Sequence, residues 1–208
     1  MEDIKLNEKE SLELITTMIQ QTKLNLSSGR GNAFLYYGYS AVVISVVVFI
    51  AVWLTQDPRW SALWFLMFVP AVVKAIKDRG NKPKVVTYMD KAINDTWTVT
   101  GTLFTLTVVT IIAVSPVTGV CNFMVMMPLS LLYAGIGTSI TGVIMRVRTL
   151  IYAPLPAFVI AIYMLMSLTV GHNGTVVWHL WFGLSFLVMM VIPGHLLNCK
   201  DPKTCSKN

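Results

Sequence analysis

The chain has 208 residues, of which 55% are hydrophobic and 12% charged, and its formal net charge is +6. Soluble domains are about a quarter charged, because a wet surface needs charge to stay solvated; this composition excludes an ordinary soluble domain. The basic residues stand at the ends of apolar runs, where they orient a chain in a membrane, so nucleic acid is not the expected partner. Cys121, Cys199 and Cys205 form no even disulfide framework, and the last two are spaced too widely for the usual zinc pair.

Residues 1–33 read as a cytoplasmic segment with nine charges and no apolar core. That is no cleavable leader, so the first apolar run is expected to serve as an uncleaved signal anchor. Within it, residues 7–27 read as an amphipathic helix. Asn7 and Glu10 have capping-box spacing, and Leu12, Ile15, Ile19, Thr22 and Leu26 form one narrow stripe. The stripe suits the membrane surface or a cytoplasmic protein partner. Ser27 to Gly31 breaks the helix.

Six apolar runs follow, each about the length that crosses roughly 30 Å of hydrocarbon as a helix. Helix 1 is expected over 34–54, ending at the turn Thr55 to Arg59. Helix 2 is expected over 60–77. Its uncharged part, Trp60 to Val73, is short, so Lys74 must snorkel, and Pro70 is expected to kink the helix. A basic loop over 77–95 leads through a helical stretch from Val85 to Asp95 into helix 3 (96–114), which is rich in threonine. Hydroxyls there can bond back to the preceding turn and cost little in lipid. Ser115 to Gly119 reads as a turn. Helix 4 (120–145) carries Gly135, Gly137 and Gly142; Ala134, Thr138 and Gly142 stack at four-residue spacing, which lets backbones approach closely. Helix 5 spans 150–170, with Pro154 and Pro156 in its first turns, and helix 6 spans 176–197, with Pro193-Gly194 loosening its end. Residues 199–208 form a polar tail.

The distribution of Lys and Arg sets the expected orientation. On the side of the N-terminus the stretches 1–33, 74–95, 146–148 and 199–208 hold four, six, two and three of them; the other side holds only Arg59. The positive-inside rule then puts both termini in the cytoplasm. The expected architecture is all-α: a polytopic membrane protein with a six-helix domain over 34–198, arranged as three hairpins, 1-2, 3-4 and 5-6. The basic loop carries Lys74, Lys77, Arg79, Lys82, Lys84 and Lys91 against Asp78, Asp90 and Asp95. Anionic lipid headgroups are its expected partner, over 74–91.

No Asp, Glu, Lys or Arg stands in the middle of a predicted helix, and such residues are the usual mark of ion pathways and proton relays. His179 is the one titratable side chain set within a span. Its neighbours Trp178 and Trp181 suggest an interfacial aromatic belt, and His172, seven residues earlier, could face the same side. His195 lies toward the opposite face. These residues make no convincing zinc or haem set. Asn94 and Asp95 read as residues at a helix start. No catalytic, cofactor-binding or metal-binding residue is assigned.

The segments "LITTMIQQTKLNL", "FLYYGYSAVVIS", "VVTYMDK", "GIGTSITG" and "VIPGHLLN" together resemble an uncharacterised family of small six-helix inner-membrane proteins of Bacteroidetes-type bacteria. The resemblance covers nearly the whole chain and implies a bacterial inner membrane; it carries over no activity. Two functions compete. One is a non-enzymatic regulatory or scaffold protein with its interaction surface in the cytoplasm. The alternative is a small oligomeric transporter or channel for an ion or small neutral solute, with Thr100, Thr107 and Gly101 facing a path and Thr96 and Thr110 at its ends.

Overall fold

The computed structural model describes residue 16 and residues 30–78, 88–119, 123–172 and 174–199. Every regular element among them is helical. Five helices are long and apolar enough to cross a membrane: Gly31–Thr55, Tyr88–Val117, Phe123–Met145, Arg148–Thr169 and Val177–Cys199. The amphipathic stretch 7–27 lies outside the described residues apart from Thr16, which is helical. The basic loop over 79–87 and the tail from 200 also lie outside them.

Helix α1 runs Arg30–Thr55. Its buried residues are Gly31, Phe34, Gly38, Ala41, Ser45, Val48 and Val52, alternating steps of three and four. This heptad seam is the signature of two helices packed along their length. The partner is α6, built from Val177–Phe186, a π turn over Leu187–Val191 and Ile192–Cys199. Small residues make the contact close. A Cβ on Gly31 would stand 2.8 Å from the Gly194 carbonyl, and one on Gly38 would stand 2.8 Å from Val191 Cγ2. The π turn precedes Pro193, which has no N–H for the preceding turn and whose ring crowds the carbonyl four residues back. Widening the turn relieves that clash. It also brings Met189, Met190 and Val191 into the core as consecutive residues. Pro193 was expected to loosen the last turns; the irregularity falls just before it instead.

The turn out of α1 has Gln56 at a φ of 53°, and Asp57 then accepts a hydrogen bond from the Arg59 N–H at 2.9 Å. Helix α2 starts as a 3₁₀ helix over Pro58–Met67 and becomes α-helical over Phe68–Asp78. The tighter winding ends at Met67, three residues ahead of Pro70, and the helix runs on as α-helix through the proline.

Helix α3 is one helix over Tyr88–Thr118. The helical lead-in thus joins the span directly from Tyr88. The turn expected at Ser115 to Gly119 is displaced: the helix continues through Pro116, and the break comes at Gly119, whose φ is 69° and whose N–H reaches the Ser115 carbonyl at 2.9 Å. Pro116 supplies no N–H to the Ile112 carbonyl, and the helix ends within three residues of it.

Helix α4 has a 3₁₀ turn at Phe123–Val125 and an α-helix over Met126–Met145. It ends in a Schellman motif without glycine. Arg146 takes a φ of 56°, the Val147 N–H reaches the Gly142 carbonyl at 2.9 Å, and the Arg146 N–H reaches the Val143 carbonyl at 3.1 Å. Helix α5 follows in two pieces, Arg148–Tyr152 and Leu155–Thr169, split where Pro154 and Pro156 interrupt the ladder.

The pairs α1–α2, α3–α4 and α5–α6 all pack, but α1 packs most extensively on α6, and α4 packs on α5 far more than α5 does on α6. Helix α3 sits at the edge: no residue of its most apolar stretch is buried, and its main neighbour is α4.

Candidate functional site

The densest polar grouping inside the bundle lies where α1, α2 and α6 meet. His179, on the first turn of α6, is 2% exposed. The Trp64 indole N–H donates to His179 Nδ1 at 3.1 Å. An indole N–H only donates, so Nδ1 supplies the lone pair and the neutral ring carries its proton on Nε2. The Ser45 hydroxyl donates a short hydrogen bond to the His179 main-chain carbonyl. Phe182 closes the site, its ring edge-on to Trp64 at 4.6 Å between centroids.

Local sequence explains each position. Ser45 lies on the buried seam of α1 opposite Gly183, where a Cβ would meet the serine side chain. Only a glycine there lets the hydroxyl reach across. Trp64 is placed by the 3₁₀ winding of α2, and the aromatic rings around it form the apolar wall. The Ser45 hydroxyl is committed to a carbonyl and the imidazole to an indole. This arrangement ties three helices together.

A second polar grouping lies at the other end of the same seam. The Tyr39 hydroxyl and His195 Nε2 are 2.7 Å apart, and Asn198 Nδ2 donates to Asn32 Oδ1 at 2.7 Å. The start of α1 and the end of α6 are clasped by these two bonds.

His179 is therefore not an interfacial belt residue. Trp178 beside it is also buried, while Trp181 is exposed. His172 is exposed on the preceding turn and shares no environment with His179. His195 stands sixteen residues along the helix, about 24 Å away at 1.5 Å per residue, as its separate placement implied. Asp95 is exposed within α3 rather than at its start, and Asn94 is exposed beside it.

The threonines of α3 do what lipid requires. Thr96, Thr98, Thr100, Thr102, Thr107 and Thr110 each donate to the carbonyl four residues back at 2.8 Å. The Thr107 and Tyr133 hydroxyls are 2.9 Å apart, and Thr100 packs on Gly137 of α4. Gly101 instead faces open space. Thr100 and Thr107 thus face a neighbouring helix, and Gly101 does not join them on one polar face.

The helix 4 glycines serve close packing. Gly135 lies under the Phe158 ring, and Gly142 lies against the Leu150 and Ile151 backbone. Ser139 donates to the Ile151 carbonyl at 3.2 Å.

Trp64, Ser45, Tyr39 and Asn32 were not singled out from sequence. Gly31, Gly38, Ala41 and Ser45 at heptad spacing were the legible signal, since small residues mark a helix–helix seam in lipid. No protein-family model matches the chain, and neither a curated protein nor a solved structure matches it.

Proposed function

We propose that the chain crosses a bacterial inner membrane six times, with both termini cytoplasmic, and acts as a non-enzymatic regulatory or scaffold protein. The clasp between Asn32 and Asn198 carries this reading. It holds the first turn of α1 and the last turn of α6 together at one end of the bundle. The Phe34–Trp97 ring contact, 6.2 Å between centroids, packs α3 against the start of α1 at a point nine residues into α3. On this reading the stretch 7–27 takes a protein partner and the basic stretch 74–91 takes anionic lipid.

Winding supports the sixth crossing, which is the short apolar helix Arg59–Val73. A 3₁₀ helix rises about 2.0 Å per residue against about 1.5 Å for an α-helix. Trp60 to Val73 therefore spans roughly 25 Å instead of roughly 21 Å, and the flanking residues cover the remainder of an approximately 30 Å core.

Two measurements test this reading. In a cysteine-free background, Gln56→Cys, Thr118→Cys and Asn173→Cys are expected to react with a membrane-impermeant maleimide in intact spheroplasts. Lys82→Cys, Thr149→Cys and Ser206→Cys are expected to react only after lysis. External labelling at Lys82 would mean that α1 or α2 does not cross. For the role itself, a soluble protein recovered with the full chain is expected to be lost when residues 2–27 are deleted. Retention of every stable partner by that deletion would remove the scaffold reading.

A further inference from the structure

A groove of about 630 Å³ runs between α1 and α2 on the outside of the bundle. From α1 it is lined by Asn32, Leu35, Tyr36, Tyr39, Ser40, Val43 and Ile44, and from α2 by Leu66, Val69 and Pro70. Its polarity is graded. Asn32, Tyr36 and Tyr39 lie toward the start of α1, at the end where the Asn32–Asn198 clasp sits, whereas Val43, Ile44 and Leu66 form a purely apolar floor. Asn32 and Ile44 are twelve residues apart, which is about 18 Å along an α-helix. One leaflet of an approximately 30 Å hydrocarbon core is about 15 Å deep. The groove therefore has the length of one leaflet, with polar groups at headgroup depth and apolar ones toward the midplane.

A lysine stands beyond its polar end. Lys77 is exposed and stands seven residues beyond Pro70, two α-turns on, so it shares that face of the helix about 10 Å nearer the surface. Tyr39 presents its ring to the groove while its hydroxyl is held by His195, which fixes the wall in place without a ligand. The groove is shallow and open along its length, a shape that lies along an acyl chain without enclosing it.

We infer that this groove seats one acyl chain of an anionic phospholipid, whose phosphate lies at the level of Lys77. The inference rests on the six-span reading, because it needs α2 to lie within the membrane. Lipid is the occupant that the length, the polarity gradient and the lysine beyond the polar end fit together. A neutral lipid would fill the slot but would not use the lysine.

Native mass spectrometry of the delipidated full chain, titrated with phosphatidylglycerol or with phosphatidylcholine of identical chains, tests it. The wild type is expected to retain one phosphatidylglycerol about fivefold or more in preference to phosphatidylcholine. Lys77→Gln is expected to reduce that preference about fivefold, the effect of one basic side chain near a headgroup. Val43→Trp and Leu66→Trp each fill the groove from an exposed position, so the fold tolerates them; either is expected to lower retention of both lipids at least tenfold, with the unfolding midpoint unchanged. Three results overturn the inference: equal retention of the two lipids by the wild type, wild-type retention in both tryptophan variants, or loss of preference only on changing lysines outside the groove. Failure of the six-span reading would appear separately, as external labelling of Lys82→Cys.

Discussion

Replacing Gly142 with valine is expected to cost roughly 3 kcal/mol of stability, at the upper end of overpacking penalties. A Cβ at Gly142 would stand 2.7 Å from the Ile151 N and 2.8 Å from the Leu150 carbonyl carbon. Those are backbone atoms, so no rotamer change can make room. They are also held in place, because the Arg146–Val147 turn reverses the chain directly after α4 by bonding back to Gly142 and Val143. Opening the gap would pull that turn apart. Gly101→Val is the matched control: nothing lies within 4 Å of a Cβ there, and valine is a better helix former than glycine. Unfolding of purified protein in mixed detergent micelles is expected to show an early transition for Gly142→Val and a wild-type or later one for Gly101→Val. Similar losses in the two variants would show that glycine itself matters, not close approach.

The second large effect is expected at His179. His179→Ala removes a ring that is 2% exposed and leaves the Trp64 N–H without its acceptor. Losing a large buried ring costs about 3–5 kcal/mol. In hydrocarbon no water replaces the lost hydrogen-bond partner. His179→Phe separates the two contributions, since it keeps most of the volume and loses only the acceptor. Hydrogen bonds between membrane helices are worth about 0.6 kcal/mol on average and up to about 1.7. The expected order of unfolding midpoints is therefore wild type, then His179→Phe, then His179→Ala. Adding Trp64→Phe to His179→Phe is expected to cost less than it does in the wild type, by a coupling of about 1 kcal/mol. Additive losses would show that the imidazole and indole merely touch.

The sequence by itself determined that the chain is helical, with helices long and apolar enough to cross a membrane, because those properties are local. A run of apolar residues, a proline and a threonine that bonds to its own backbone act over a turn or a span, and the helices came out near their expected limits. The glycines Gly135 and Gly142 were legible as close-packing positions for the same reason. The tertiary structure alone decided which helix lies against which. In water an apolar face points inward, but in lipid a leucine is equally at home inside the bundle or outside it. Hydrophobicity therefore says nothing about partners, and only the small residues on α1, Gly31, Gly38, Ala41 and Ser45, point to the seam with α6. The environment of His179 follows from that seam. Next to Trp178 and Trp181 in sequence it looks interfacial, and it becomes buried because Ser45 and Trp64 arrive from two helices more than a hundred residues away in the chain.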